Sequence, residues 1–146
     1  MKKLLLLTAS IFALAAAQSF AQVSTTDRLA VDSGVSLWLS VWKSAKADPA
    51  KLQPLYGKDV VTRSAVADQV KRSWAEFANV IRDRSADLAA VIAGQSDAPQ
   101  VTVVQDRVVT SFSSGIRLVW EKTNGVWKIV EQSLPTAPIV RTVAAD

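Results

Sequence analysis

Hydrophobic positions recur with helical spacing in the first half of the chain and with strand spacing in the second. Val31, Val35, Trp38, Trp42 and Ala45 follow one another at intervals of four, three, four and three, which places them on one helical face that Leu39 and Val41 widen. Thr26 or Asp27 is expected to cap this helix. Asp48-Pro49 ends it and opens a short second helix carrying Leu52, Leu55 and Tyr56, with Gly57 as its stop. Val60-Val61-Thr62 predicts a short strand. Ser64 is then placed to cap a third helix, on which Val66, Val70, Trp74, Phe77 and Ile81 share a face as far as Arg84.

Beyond Arg84 the pattern changes. Leu88 to Ile92 is a short apolar run, and Gly94 to Pro99 has the composition of a loop. Val101–Val104 and Arg107–Ser113 are rich in β-branched residues, with a turn at Gln105-Asp106. Ile116–Lys122 and Val126–Ser133 predict a hairpin closed by Thr123-Asn124-Gly125, since Asn-Gly between apolar runs is the strongest short-range hairpin signal. Pro135 and Pro138 end the sheet, leaving an extended tail over 135–146. Helices segregated from a meandering antiparallel sheet predict an α+β fold. Val108 with Val109, Leu118 with Val119 and Ile129 with Val130 put apolar residues on both sheet faces, where a half-buried sheet should alternate. The helices are expected to cover one face. A curling of the sheet or a second copy of the chain is expected to cover part of the other, so a homodimer through the sheet is one expectation.

The N-terminus has a different character. Lys2 and Lys3 precede an uncharged apolar stretch, Leu4 to Ala17, and Ser19-Phe20-Ala21 presents small residues at the spacing of a cleavage site. This predicts a signal peptide over 1–21, a polar lead-in over 22–28, a folded domain over 29–134 and the tail. The expected location is outside the cytoplasm: periplasmic if the cell has an outer membrane, otherwise secreted. The apolar run is shorter than a spanning helix needs, so no stable membrane anchor is expected after cleavage. Removing Lys2 and Lys3 lowers the formal charge of the 146-residue chain from +4 to +2. The remaining charges are interspersed, as in Arg82-Asp83-Arg84, with no basic stripe to suggest a nucleic-acid partner.

The order of parts resembles the nuclear transport factor 2-like superfamily, the cone-shaped fold shared with ketosteroid isomerase. The resemblance rests on Trp38 and Trp42 in the first helix, Asp48 before Leu52-x-x-Leu55-Tyr56, Asp59-Val60-Val61, Trp74, and the hairpin Leu118 to Val130 with its Asn124-Gly125-Val126-Trp127-Lys128-Ile129 ending. It spans roughly residues 29 to 134. Among exported members, the chain looks most similar to the accessory domains of envelope L,D-transpeptidases; the transpeptidase chemistry itself needs a cysteine, and there is none. The resemblance implies helices packed on a curved antiparallel sheet with a pocket between them.

The candidate chemistry is sparse. Without histidine or cysteine the chain has no histidine-based triad, thiol nucleophile or zinc–thiolate site. Its five glycines are scattered, so no phosphate loop forms, and no carboxylate run has calcium-loop spacing; no cofactor or metal is expected. Isomerase chemistry of the resembling family needs a carboxylate base beside a hydrogen-bond donor for the enolate oxygen. Tyr56 is the only tyrosine, and the candidate bases are Glu131 and Asp59; Asp106 and Glu121 are further carboxylates in β regions. If Trp127 and Ile129 point inward, the period of two turns Glu131 inward with them; the reversed register would select Gln132. Trp38, Trp42, Tyr56, Trp74, Trp127 and Glu131 are the candidate ligand-binding residues. Helical spacing also accounts for Trp38 and Trp42 as core. The expected function is a non-enzymatic envelope domain that binds a protein partner or a small apolar ligand. The alternatives are a cofactor-free isomerase or lyase in the cone pocket and a structural subunit docked by its tail.

Overall fold

The computed structural model describes residues 23–44, 48–63, 69–94 and 97–133. The predicted leader, the tail, Ala45 as the last residue of the first helical face, and Ser64 and Val66 at the start of the third helix all lie outside these residues.

Helix α1 spans Thr25–Lys43 and begins within the expected lead-in. Its cap is Ser24 rather than Thr26 or Asp27. The Ser24 side chain accepts from the Asp27 amide, and the Asp27 carboxylate accepts from the Ser24 amide, so two otherwise orphaned donors are satisfied. Val31, Gly34, Val35, Trp38, Val41 and Trp42 form its buried face. Asp48 caps a 3₁₀ helix over Pro49–Leu55, which ends one residue early: Tyr56 and Gly57 open strand β1, Tyr56–Arg63.

The third predicted helix is divided. Val70–Ser73 is strand β2, antiparallel to β1 with Thr62 opposite Val70, and helix α2 occupies Trp74–Asp83. A Ser73/Glu76 capping box sets this boundary. Helical spacing alone could not locate it, because a β-branched residue such as Val70 serves a strand as well as a helix face. Phe77 and Ile81 are fully buried, each stabilising the fold by roughly 1.5–3 kcal/mol over an exposed position. The apolar run at Leu88–Ile92 is helix α3, Ser85–Ala93. Strands β3 Gln100–Val104, β4 Arg107–Ser111, β5 Arg117–Thr123 and β6 Val126–Ser133 complete the chain. At the β5–β6 turn Asn124 and Gly125 both have positive φ, 51° and 78°, the pattern of a two-residue type I′ hairpin.

The six strands lie in the order β2-β1-β6-β5-β4-β3. The sheet is mixed and not wholly antiparallel, because β1 runs parallel to β6. One face carries Tyr56, Val60, Val108, Phe112, Leu118, Trp120 and Ile129, which join Trp38, Trp42, Phe77, Leu88 and Ile92 of the helices in one core. On the other face Val109 and Val119 sit opposite each other, each 5% exposed. Their neighbours by register include Arg107 and Glu121, an ion pair of 3.0 Å, and Glu131, which pairs with Arg63. Part of the cover expected on this face therefore comes from the long side chains of the sheet itself.

Candidate functional site

Side chains of the chain itself occupy the space between helices and sheet. Trp38 stacks on Phe112 with ring centres 5.4 Å apart and meets the edge of Trp42 at 6.1 Å. Tyr56 packs against Trp74 and Phe77 at 5.0 and 5.2 Å. At the centre, Nε1–H of Trp38 donates to the Tyr56 hydroxyl at 2.9 Å, and that hydroxyl donates to Oε1 of Gln132. Burial pushes the Tyr56 phenol well above its ordinary range; the Trp38 N–H, which would favour the phenolate, opposes this only in part. Tyr56 is therefore a neutral donor whose proton is already in use.

Gln132 occupies the position toward which Glu131 was expected to point. The period of two breaks at a bulge: Val119 pairs with Glu131, but the next residue of β5, Trp120, pairs with Ile129. Val130 is the extra residue on β6, and beyond it the inward parity passes from odd to even positions. Gln132 is fully buried, with Leu118 and Thr62 opposite it on the flanking strands. Its Nε2 has no hydrogen-bond partner among the described residues. Glu131 lies on the other face, in its ion pair with Arg63. Asp59 is held 3.2 Å from Lys71 across the β1–β2 pair. Neither candidate base hydrogen-bonds Tyr56. The structure thus brings together Trp38, Trp42, Tyr56 and Trp74, keeps Trp127 in the same core, and leaves Glu131 and Asp59 outside it.

Trp127 belongs to a second feature that periodicity did not reveal. An open groove of about 460 Å³ runs between α1 and the β5–β6 hairpin. Ala30, Gly34 and Leu37 form its helical wall, Leu55 lies at its side, and Trp120, Val126 and Trp127 line the hairpin. Gly34 lets the helix approach closely: a Cβ there would sit 2.7 Å from Cη2 of Trp120. A glycine within an otherwise apolar helical face is the sequence signal that could have indicated this. Asp27 also lines the groove. Its Oδ1 accepts from Lys122 Nζ at 2.8 Å and from Trp127 Nε1 at 2.9 Å, while Oδ2 accepts from the Ser24 hydroxyl. The hydrogen bond from Lys122, then those from Trp127 and Ser24, hold the Asp27 carboxyl well below the usual carboxylate range. Another hollow, of about 490 Å³, lies beside Lys58, Asp59, Asn124 and Lys128 on the other side of the hairpin. Among the described residues no group of three or more Asp or Glu is placed to hold a metal, and no helix is long and apolar enough to cross a membrane.

Comparison with solved structures agrees with this architecture. A nuclear transport factor 2-like protein with a cystatin-like fold from Novosphingobium aromaticivorans superposes with a TM-score of 0.52 at 18% identity, over 74% of this chain and 80% of that one. A protein of unknown function from Pectobacterium atrosepticum gives 0.54 at 18% identity, over 76% and 91%. No family model matches the sequence, and no curated protein does. At this identity the likeness establishes the fold, that of the nuclear transport factor 2-like cone, and nothing finer.

Proposed function

We propose that the chain is an exported, non-catalytic binding domain of the cell envelope, and that an apolar segment of a partner protein or a small apolar ligand binds in the groove between α1 and the β5–β6 hairpin. One observation carries this reading: the Tyr56 hydroxyl at the centre of the cone is spent between Trp38 and Gln132. An isomerase or lyase would need that hydroxyl free and a carboxylate beside it. The groove, in contrast, is open and bordered by exposed apolar side chains, with Leu37 and Val126 44% and 52% exposed. Export is supported by the leader over 1–21.

The test is native mass spectrometry of the protein purified from the envelope of its own cells. A mature chain beginning at Gln22 and carrying a small molecule or a second polypeptide is expected. The carried species should be lost from an Ala30→Trp variant, in which the indole fills the groove from an exposed helical position. Retention by that variant would move the site elsewhere, and turnover of an apolar carbon acid by the purified protein would reinstate the isomerase reading.

A further inference from the structure

The two edges of the sheet are protected unequally. Strand β2 forms one edge, is four residues long, and carries Lys71 and Arg72. Short length and charge are the usual means of preventing an edge from pairing with another chain. Among the described residues strand β3 forms the other edge, Gln100-Val101-Thr102-Val103-Val104. It has no charge, no proline and four β-branched residues in succession. Val103 and Val104 are 43% and 48% exposed. Its register with β4 is unbroken from Gln100 opposite Ser111 to Val104 opposite Arg107, with no bulge to turn the edge away.

We infer that β3 pairs antiparallel with β3 of a second copy of this chain, on a two-fold axis through Thr102, joining two six-stranded sheets into one. The strand is self-complementary in this register. Thr102 faces Thr102, Val101 faces Val103, and Gln100 faces Val104, so every pair contains a β-branched residue and no like charges meet. The limits of the ladder are symmetric as well. Pro99, which has no N–H to donate, falls opposite Gln105, where φ is +57° and the strand has already turned. Both lie three residues from the axis, so pairing ends where neither chain could continue it. Val101 and Val103 share the core-side face with Val108, and the pairing extends the apolar surface of one core to that of the next. This interface involves the strand edge only, and it holds whether or not the groove binds anything.

Sedimentation equilibrium of the protein purified from cells expressing the full chain tests it, together with two exposed-site variants. The wild type should be a dimer. Thr102→Lys sets two ammonium groups against each other on the axis and should weaken association at least tenfold while leaving the far-ultraviolet circular dichroism spectrum of the folded chain unchanged. Because the chain has no cysteine, Thr102→Cys offers a second reading: residues facing each other across an antiparallel pair are close enough for a disulfide. Mild oxidation should link Thr102→Cys chains in pairs and leave Gln100→Cys chains, which face Val104, largely unlinked. A wild type that stays monomeric at its highest soluble concentration overturns the proposal, whether β3 is then bare, covered by residues 134–146, or occupied by another extended chain. A dimer unaffected by Thr102→Lys, with no Thr102→Cys cross-link, also overturns it and points to the opposite sheet face.

Discussion

The Tyr56 hydroxyl donates its proton to Oε1 of Gln132, a residue 76 positions further along the chain. Both side chains are buried, and the hydroxyl in turn accepts from Trp38. This bond ties the first strand of the sheet to the last and places a neutral amide where a carboxylate would be needed for acid–base chemistry.

Removing the hydroxyl should be costly. Tyr56→Phe leaves the Trp38 N–H and the Gln132 carbonyl without this partner, and each orphaned buried group costs about 1–3 kcal/mol. Adding Gln132→Met removes one orphaned acceptor and the unpartnered Nε2, so the double variant should be more stable than the sum of the two single losses. Urea denaturation of the four proteins measures this coupling; strict additivity would show that the two groups do not act as a pair.

Gly34→Ala sets two effects against each other. Alanine gains about 1 kcal/mol of helix propensity over glycine, but the new Cβ meets Cη2 and Cζ3 of Trp120 at 2.7 and 2.9 Å. The indole is 1% exposed and its Nε1 donates to Thr110 at 3.0 Å, so it cannot easily shift. Overpacking of this kind costs about 1–3 kcal/mol, and with the indole held in place the upper half of that range applies, so a net loss of roughly 1–2 kcal/mol is expected by urea denaturation. A neutral or stabilising result would mean that helix and sheet are more loosely apposed than the contact implies.

Asp27 should make stability depend on acidity. Its folded carboxyl titrates well below its ordinary value, because Lys122, Trp127 and Ser24 bond to the ionised form. The folded state therefore binds this proton more weakly than the unfolded chain does. The stabilisation is complete above the unfolded value of about 4 and is lost as pH falls from there toward the folded one. Thermal melts should show Asp27→Asn less stable than wild type at neutral pH, with the gap narrowing progressively below about pH 4. A gap that stays constant through this range would place the stabilisation in packing and not in the charge.

Glu131→Gln should change little. The Arg63 partner is half-exposed, and such pairs are worth about 0–1 kcal/mol. Neither the tyrosine fluorescence nor the binding of whatever co-purifies should change. A large effect on binding would mean that the outer sheet face takes part in function.

The α+β class, the first helix, the 3₁₀ segment near Pro49, and the strands from Val101 to Ser133 with their Asn124-Gly125 turn were all legible from local pattern. The reason is physical: helix and strand periods, proline, and the left-handed preference of Asn-Gly act within a few residues. Tertiary structure alone decided the remainder. Pairing of Val70 with Thr62 turned the start of a helical pattern into β2. A one-residue bulge at Val130 exchanged Glu131 for Gln132 in the interior. The parallel pairing of β1 with β6 placed Thr62 beside Gln132, while helix, 3₁₀ segment and hairpin enclosed the groove around Gly34. Each of these depends on contacts between residues far apart in sequence. A single inserted residue there reverses which side chain faces the core, and no local spacing records it.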